Sequence, residues 1–334
     1  MASGKNSIIS SGIPARVISS IEYSIMEFSE KDIGEVEKYF EENNFILKDK
    51  KLLEWKYLRN PGGKARIFVM RNEKGKIQGI LSYLPRIYRK SNLERINVVQ
   101  AVDALIAPEA RGKALYPKII KHSTKEMKIP IYGFPNKRAE QIEVRSGWEI
   151  LSPIDSWFFP VKIGDITFMK NILLARGIMN FFSKIYMKHM LARKGKIEIR
   201  GIEEFGAEHG MVESGLSIER NAAFLNWRYI QNPFKKYTCL EFRKLGKIIG
   251  YCVFFIDVNK ADIYEFAACQ NQKECMRAAI EYFWEKKLRY AIFKTAGMNF
   301  KIFGFMKRKT VNNIISCEFP KIHLAFSMGD SDWD

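Results

Sequence analysis

The sequence predicts an α+β protein made of two tandem copies of one unit, each a mixed β-sheet flanked by helices. Three observations predict it. Two long stretches repeat one another, each turns from helical to alternating apolar spacing, and a short basic loop joins a strand to a helix in the first copy alone.

The repeat comes first. "LLEWKYLRNPGGKARIFVMRNEKGKIQGILSYLP" begins at Leu52 and "FLNWRYIQNPFKKYTCLEFRKLGKIIGYCVFFID" begins at Phe224. Trp55 matches Trp227 and Pro61 matches Pro233 at one common offset, and Gly79 matches Gly250 one residue short of it. Self-similarity over such a distance marks a duplicated domain, not a solenoid. In each copy an amphipathic helix ends near a Trp-Lys/Arg-Tyr triplet, where Asn-Pro breaks it. Two alternating strands then form a hairpin: "ARIFVMR" and "IQGILSYLP" around the turn Asn72 to Gly75, and "YTCLEFR" with "IIGYCVFFI" in the second copy. The expected organisation is an N-terminal extension over 1–24, a first domain over 25–162, a basic linker helix over 163–199, a second domain over 200–325 and an acidic tail over 326–334.

The 334 residues suit two domains, and 47% hydrophobic with 28% charged content reads as globular. No apolar run reaches the roughly 18 residues of a membrane span. The Ser-rich, weakly basic N-terminus lacks the apolar core of a signal peptide. Five cysteines, an odd number without CxxC spacing, exclude a zinc ribbon or disulfide framework and predict reduced thiols in the cytoplasm. Lys and Arg number 55 against 37 Asp and Glu, a formal charge of +18. Such a field concentrates anionic partners: nucleic acid, acidic lipid, a phosphorylated cofactor or an acidic carrier.

The linker concentrates this charge. No acidic residue occurs from Ile166 to Ile197, while Lys170, Arg176, Lys184, Lys188, Arg193, Lys194 and Lys196 do. Ile172, Met179, Phe182, Tyr186 and Met190 recur at helical spacing. Two readings follow. The plainer is a linker helix packed across both domains with a solvated basic face. The other is an interfacial helix touching an anionic membrane surface or an acidic carrier, which would make the protein peripheral at a membrane.

Chemistry enters with "VVQAVDALIAPEARGKALYPKIIK", followed by "IYGFPNKRAEQIEVRSGWEIL". An apolar strand runs into Pro108, a basic loop and a helix. Gly112 lets a ligand approach the backbone, and the N–H groups of residues 111 to 115 at the helix start can cradle a pyrophosphate. Arg111 and Lys113 add charge of the right sign. These two motifs resemble the GNAT acyltransferase superfamily, in which a strand ending in Pro-Glu leads into an Arg-Gly loop and a Gly-aromatic pair closes the unit. The resemblance covers the first domain nearly end to end.

The resemblance implies an acyl-CoA cosubstrate, acetyl-CoA foremost. Its pyrophosphate would lie on Arg111, Gly112, Lys113, Ala114 and Leu115, and its pantetheine arm would pair like an extra strand along Ala104 to Ala107, past Leu105 and Ile106. Asn136 would hydrogen-bond the cofactor, or cap the next helix. Asp103 lies on the strand that carries many of the family's bases; otherwise it is a carboxylate at a strand kink. Two positions depart from the pattern. Where the family prefers Gly, and then Gly or Ala, this chain has Ala114 and Tyr116. Where many relatives carry a tyrosine that protonates the leaving thiolate, it has Glu143, which could donate a proton only with a raised pKa. None of the four histidines suggests a catalytic dyad or a metal site.

The second copy runs "AACQNQKECMRAAIEYF" where the first has its loop, and has no Arg-Gly. It is expected to bind no CoA and to shape the acceptor cleft. The tail "HLAFSMGDSDWD" also resembles tandem-GNAT proteins of bacterial polysaccharide operons, and reads either as a solvated end or as an acidic lip for an amine. The function expected is therefore N-acylation of a primary amine, such as an amino sugar on a small molecule or glycan. The alternatives are a Fem-type transferase using aminoacyl-tRNA and a non-catalytic GNAT-like binding protein.

Overall fold

A computed structural model describes residues 23–331 apart from 47–48, 90–93, 166–172, 193–196, 213–216, 270, 309, 311 and 320–324. The N-terminal extension up to residue 22, Lys170, Ile172, Arg193, Lys194, Lys196, Asp332 and Asp334 lie outside the described residues.

The first half comprises β1 (Ser24–Phe28), α1 (Ile33–Glu42), α2 (Lys50–Leu53), β2 (Arg66–Arg71), β3 (Ile77–Arg89) and β4 (Arg95–Ile106). It continues through α3 (Leu115–Met127), β5 (Ile131–Gly133), α4 (Lys137–Arg145) and β6 (Glu149–Pro160). The helix α5 (Leu173–Ala192) leads to the second half. That half contains β7 (Glu198–Gly201), α6 (Ala207–Met211), α7 (Ala222–Leu225), β8 (Thr238–Lys244), β9 (Lys247–Asp257) and β10 (Lys260–Ala268). It closes with α8 (Gln272–Glu285), β11 (Tyr290–Ala296), β12 (Met306–Lys307), β13 (Asn312–Cys317) and β14 (Phe326–Ser327).

The fold is α+β, one mixed sheet flanked by helices, in the order β1-β2-β3-β4-β5-β13-β6-β11-β10-β9-β8-β7. The pairs β4–β5 and β10–β11 are parallel. The predicted hairpins are β2–β3 and β8–β9.

The halves exchange strands. β13, from the C-terminal part, pairs with β5 and with residues Glu149 to Ile154 of β6. The rest of β6, Asp155 to Pro160, pairs with β11. Each half-sheet is thus completed by a strand from the other side of α5, so neither buries its last strand edge alone.

A local twofold relation runs through the repeat. Each Trp-Lys/Arg-Tyr triplet lies in a single π-helical turn, residues 54–58 and 226–230. Such turns are rare and recur at functional positions. Trp55 and Trp227 stack with centroids 4.8 Å apart. Each indole N–H donates to the main-chain carbonyl of the other at 2.9 Å, across a sequence separation of 172 residues. The best-matched residue of the repeat therefore meets its own copy, and the surrounding apolar core draws on both halves.

Candidate active site

The site is built where β4 leaves its neighbour. β5 pairs with β4 only at Val99, Gln100 and Ala101. Beyond them β4 bulges: Val102 faces Ser82 and Leu105 faces Ile80, so Asp103 and Ala104 together oppose Leu81. Asp103 takes a left-handed backbone conformation, φ 51°, which Asp tolerates better than most residues. From Val102 to Ile106 the second edge of β4 has no strand partner among the described residues. The Leu105 carbonyl lies 3.4 Å from the Tyr39 hydroxyl, and the Ile106 carbonyl accepts from Arg111 Nε at 3.3 Å.

The Asp103 side chain turns inward, with only 5% of it exposed, and meets Lys56 Nζ at 2.7 Å. Tyr57 Oη donates to the same oxygen at 2.6 Å. Two residues of the π-helical turn therefore grip the bulge. Sequence reasoning missed Lys56 and Tyr57, although both recur in kind in the repeated triplet as Arg228 and Tyr229.

Past the strand, Pro108–Ala110 form one 3-10 turn, which takes up the Arg111 N–H through Pro108 O at 3.3 Å. Gly112 follows at φ 80° and Ala114 at φ 54°, and α3 begins at Leu115. The N–H groups of Gly112, Lys113 and Ala114 have no partner among the described residues, and these residues are exposed. The free cradle thus starts one residue later than expected, because the Arg111 N–H is used inside the turn. The Leu115 side chain goes into the core and leaves only its backbone at the helix start. Ala114 sits in the left-handed region, which explains why glycine suits this position. Asn136 Oδ1 accepts from the N–H groups of Arg138 and Ala139 at 3.0 Å and caps α4.

The two departures from the motif meet each other. Tyr116, in the first turn of α3, donates a very short hydrogen bond to Glu143 Oε1 on α4. Burial lifts the Glu143 carboxyl to about 7, against the lowering effect of the tyrosine hydrogen bond. Its second oxygen is buried with no hydrogen-bond partner among the described residues. Burial and the adjacent Glu143 together push the Tyr116 phenol well above its usual range. Near pH 7 the Glu143 carboxyl is about half-protonated, where an ordinary carboxyl would be ionised.

The second half repeats this frame and fills it. β10 and β11 pair only from Lys260 to Ile263. β10 bulges at Tyr264, and Tyr229 Oη donates to Glu265 at 2.6 Å, as Tyr57 does to Asp103. Here β14 pairs with Thr295 and Ala296 of β11. The turn that follows is so close that a side chain on Gly329 would come within 2.1 Å of Glu265 Oε1. Arg220 bridges Glu265 at 2.8 Å and Asp330 at 2.7 Å, all fully enclosed. Asp330 is therefore no part of an acidic lip: it is consumed in a buried ion cluster. A separate cavity of roughly 850 Å³ lies beside β12, lined by Asp155, Trp157, Met298, Lys301 and Lys307, and holds none of the loop residues.

No family model and no curated protein matches the sequence. Solved structures do match. A candidate N-acyltransferase from Enterococcus faecalis V583 superposes with TM-score 0.62 at 10% identity, over 88% of this chain and 72% of that one. A GCN5-related N-acetyltransferase from Anabaena variabilis gives 0.58 at 14% identity, over 88% and 72%. A tandem GNAT protein from the clavulanic acid biosynthesis pathway gives 0.50 at 12%, over 93% of this chain and 100% of that one.

The fold is that of tandem GNAT proteins. Within it, the loop at 111–114 follows directly on the open edge of β4. Tyr116 puts a phenol from α3 beside α4. The signal that could have joined Tyr116 to Glu143 was their shared oddity: a large polar residue gained where a small one is usual, and a phenol lost nearby.

Proposed function

We propose that the chain is an acyl-CoA-dependent N-acyltransferase with one cofactor site, in its first half. The observation that carries this reading is the free cradle at Gly112 to Ala114 set directly after an unpaired strand edge, a combination that the second half has closed. Residues Gly112, Lys113, Ala114 and the start of α3 would take the pyrophosphate, with the exposed side chains of Arg111 and Lys113 adding positive charge. Ala104 to Ile106 would run beside the pantetheine arm. Acetyl-CoA is the expected donor and a primary amine, such as that of an amino sugar, the expected acceptor.

Catalysis rests mainly on positioning the thioester against the amine. The amine nitrogen forms the new bond to the carbonyl carbon, the carbon–sulfur bond breaks, the leaving thiolate takes up a proton, and the nitrogen releases one to bulk water. We assign the proton for the thiolate to the Tyr116–Glu143 pair, which is still half-protonated near neutral pH. Asp103, gripped by Lys56 and Tyr57, holds the bulge and is a positioning residue in this scheme.

Titration calorimetry with acetyl-CoA and with longer acyl-CoAs tests the reading, with binding expected in the micromolar range. Gly112→Val forces a β-branched residue to φ 80° and should weaken binding at least roughly tenfold. Asn271→Gly, at the corresponding helix entry of the second half, should leave binding unchanged. Wild-type protein that binds none of these thioesters would overturn the proposal.

A further inference from the structure

The helix α5 is amphipathic the wrong way round for a packed linker. Its anchored side is polar: Ser183 Oγ accepts from the Ile163 N–H and Asn180 Oδ1 from the Gly164 N–H, both at 3.0 Å. Met187 is buried on the same side. The opposite side presents Ile178, Phe181, Phe182, Ile185 and Tyr186 to solvent, between 47% and 59% exposed. Their spacing follows the turns of the helix, so they form one continuous stripe. A soluble chain seldom leaves such a stripe uncovered.

The surroundings say what covers it. Lys184 and Lys188 stand exposed along the stripe. Tyr186 also borders a hollow of about 180 Å³ between α5 and α8, lined by Lys273, Arg277, Met276, Ile280, Ile302, Phe303 and Gly304, with no carboxylate among the lining residues. Ile302, 55% exposed, extends the apolar surface across it. Apolar side chains beside lysines, with a basic hollow at the margin, match a bilayer surface: acyl chains below, phosphates above. A second copy of the chain fits worse, since a twofold contact through this face would set its lysines against one another. No described helix is long and apolar enough to cross a membrane, which leaves α5 lying in the interface.

We infer that the α5 stripe and the hollow beside α8 form a docking surface for an anionic phospholipid bilayer. This goes beyond the acyltransferase reading and does not depend on it. The test is co-sedimentation of the full chain with vesicles of phosphatidylglycerol and phosphatidylcholine, against vesicles of phosphatidylcholine alone. The chain should pellet with the first and not the second, and added salt should release it. Phe181→Asp with Phe182→Asp, and separately Lys184→Glu with Lys188→Glu, should each lower the partition coefficient roughly tenfold or more with the melting temperature unchanged. Arg277→Gln should lower it less. Wild type that stays in the supernatant, or variants that pellet like wild type, overturn the inference. So does a wild-type dimer in sedimentation velocity that the Phe181/Phe182 variant dissociates while vesicles capture neither, which would make the stripe an interface between copies.

Discussion

The two halves share a frame and differ in what fills it. Both bulge the strand before the splay, both plant a carboxylate at the bulge, and both hold it with the tyrosine of a π-helical turn, Tyr57 on Asp103 and Tyr229 on Glu265. In the first half the splay ends at an exposed loop, Gly112 to Ala114, that no other segment fills among the described residues. In the second, residues from Phe326 to Ser331 lie in it, tied by Arg220 to Asp330 and by Arg228 to the Ser331 carbonyl at 2.9 Å. The comparison teaches that a duplicated unit can keep its skeleton while the chain supplies its own occupant for one of the two splays. The tail then serves packing, and in the proposed reading chemistry is left to the first copy.

The strongest way to break this comparison is to release the occupant. Arg220→Met leaves Glu265 and Asp330 enclosed without their cation, which should cost about 4 kcal/mol in chemical denaturation at pH 7. A loss below roughly 1 kcal/mol would mean that the ion cluster does not hold the second splay shut.

The first half should respond to pH through Glu143. The Glu143 carboxyl stands at about 7 in the folded chain against 4.5 unfolded. Below 4.5 both states are protonated there and the group is neutral in the balance. As pH rises towards 7 the unfolded chain sheds this proton first, so folding loses stability, up to about 3 kcal/mol once both have ionised. Glu143→Gln keeps an acceptor for Tyr116 and removes that loss. The variant should be more stable than wild type at pH 8 by up to about 3 kcal/mol, and no more stable at pH 4. Denaturation midpoints at the two pH values check it, and equal differences at both would remove Glu143 as a proton store. Acyl transfer by the same variant should fall, because the amide has no proton to supply.

Much of the frame was legible in the sequence because its determinants are local. The Trp-Lys/Arg-Tyr triplet, the Asn-Pro break and the hairpin turns each act within a few residues. The loop was legible for the same reason: Pro108, Gly112 and the cations around it sit in one short run. What stayed hidden depends on contacts far apart in the chain. Nothing within β13 tells that it completes the first half-sheet, and Ser327 to Asp330 read as a solvated end although they are enclosed. Tyr116 and Glu143, 27 residues apart on two helices, looked like separate departures. In α5 the apolar period was real, but period alone shows that a face exists and not what covers it. Phe182 and Tyr186 were expected in a packed face, and they point to solvent because Asn180 and Ser183 make the attachment.

The finest difference between the halves lies at the helix entries. Ala114 and Asn271 hold the same left-handed conformation, φ 54° and 55°, just before α3 and α8. Alanine gains nothing there to offset the crowding of its Cβ, whereas asparagine visits this region readily. Replacing Ala114 by Gly relieves the crowding but frees the unfolded chain, and the two effects leave a net gain of about 0.5 kcal/mol. Asn271→Gly should give less, or a small loss. If the first half is the working one, the Ala114→Gly variant should also bind acyl-CoA at least as tightly as wild type, since the cradle keeps its shape and loses only a methyl group. A lower denaturation midpoint for Ala114→Gly than for Asn271→Gly would show instead that the loop is held by something other than its own backbone preference.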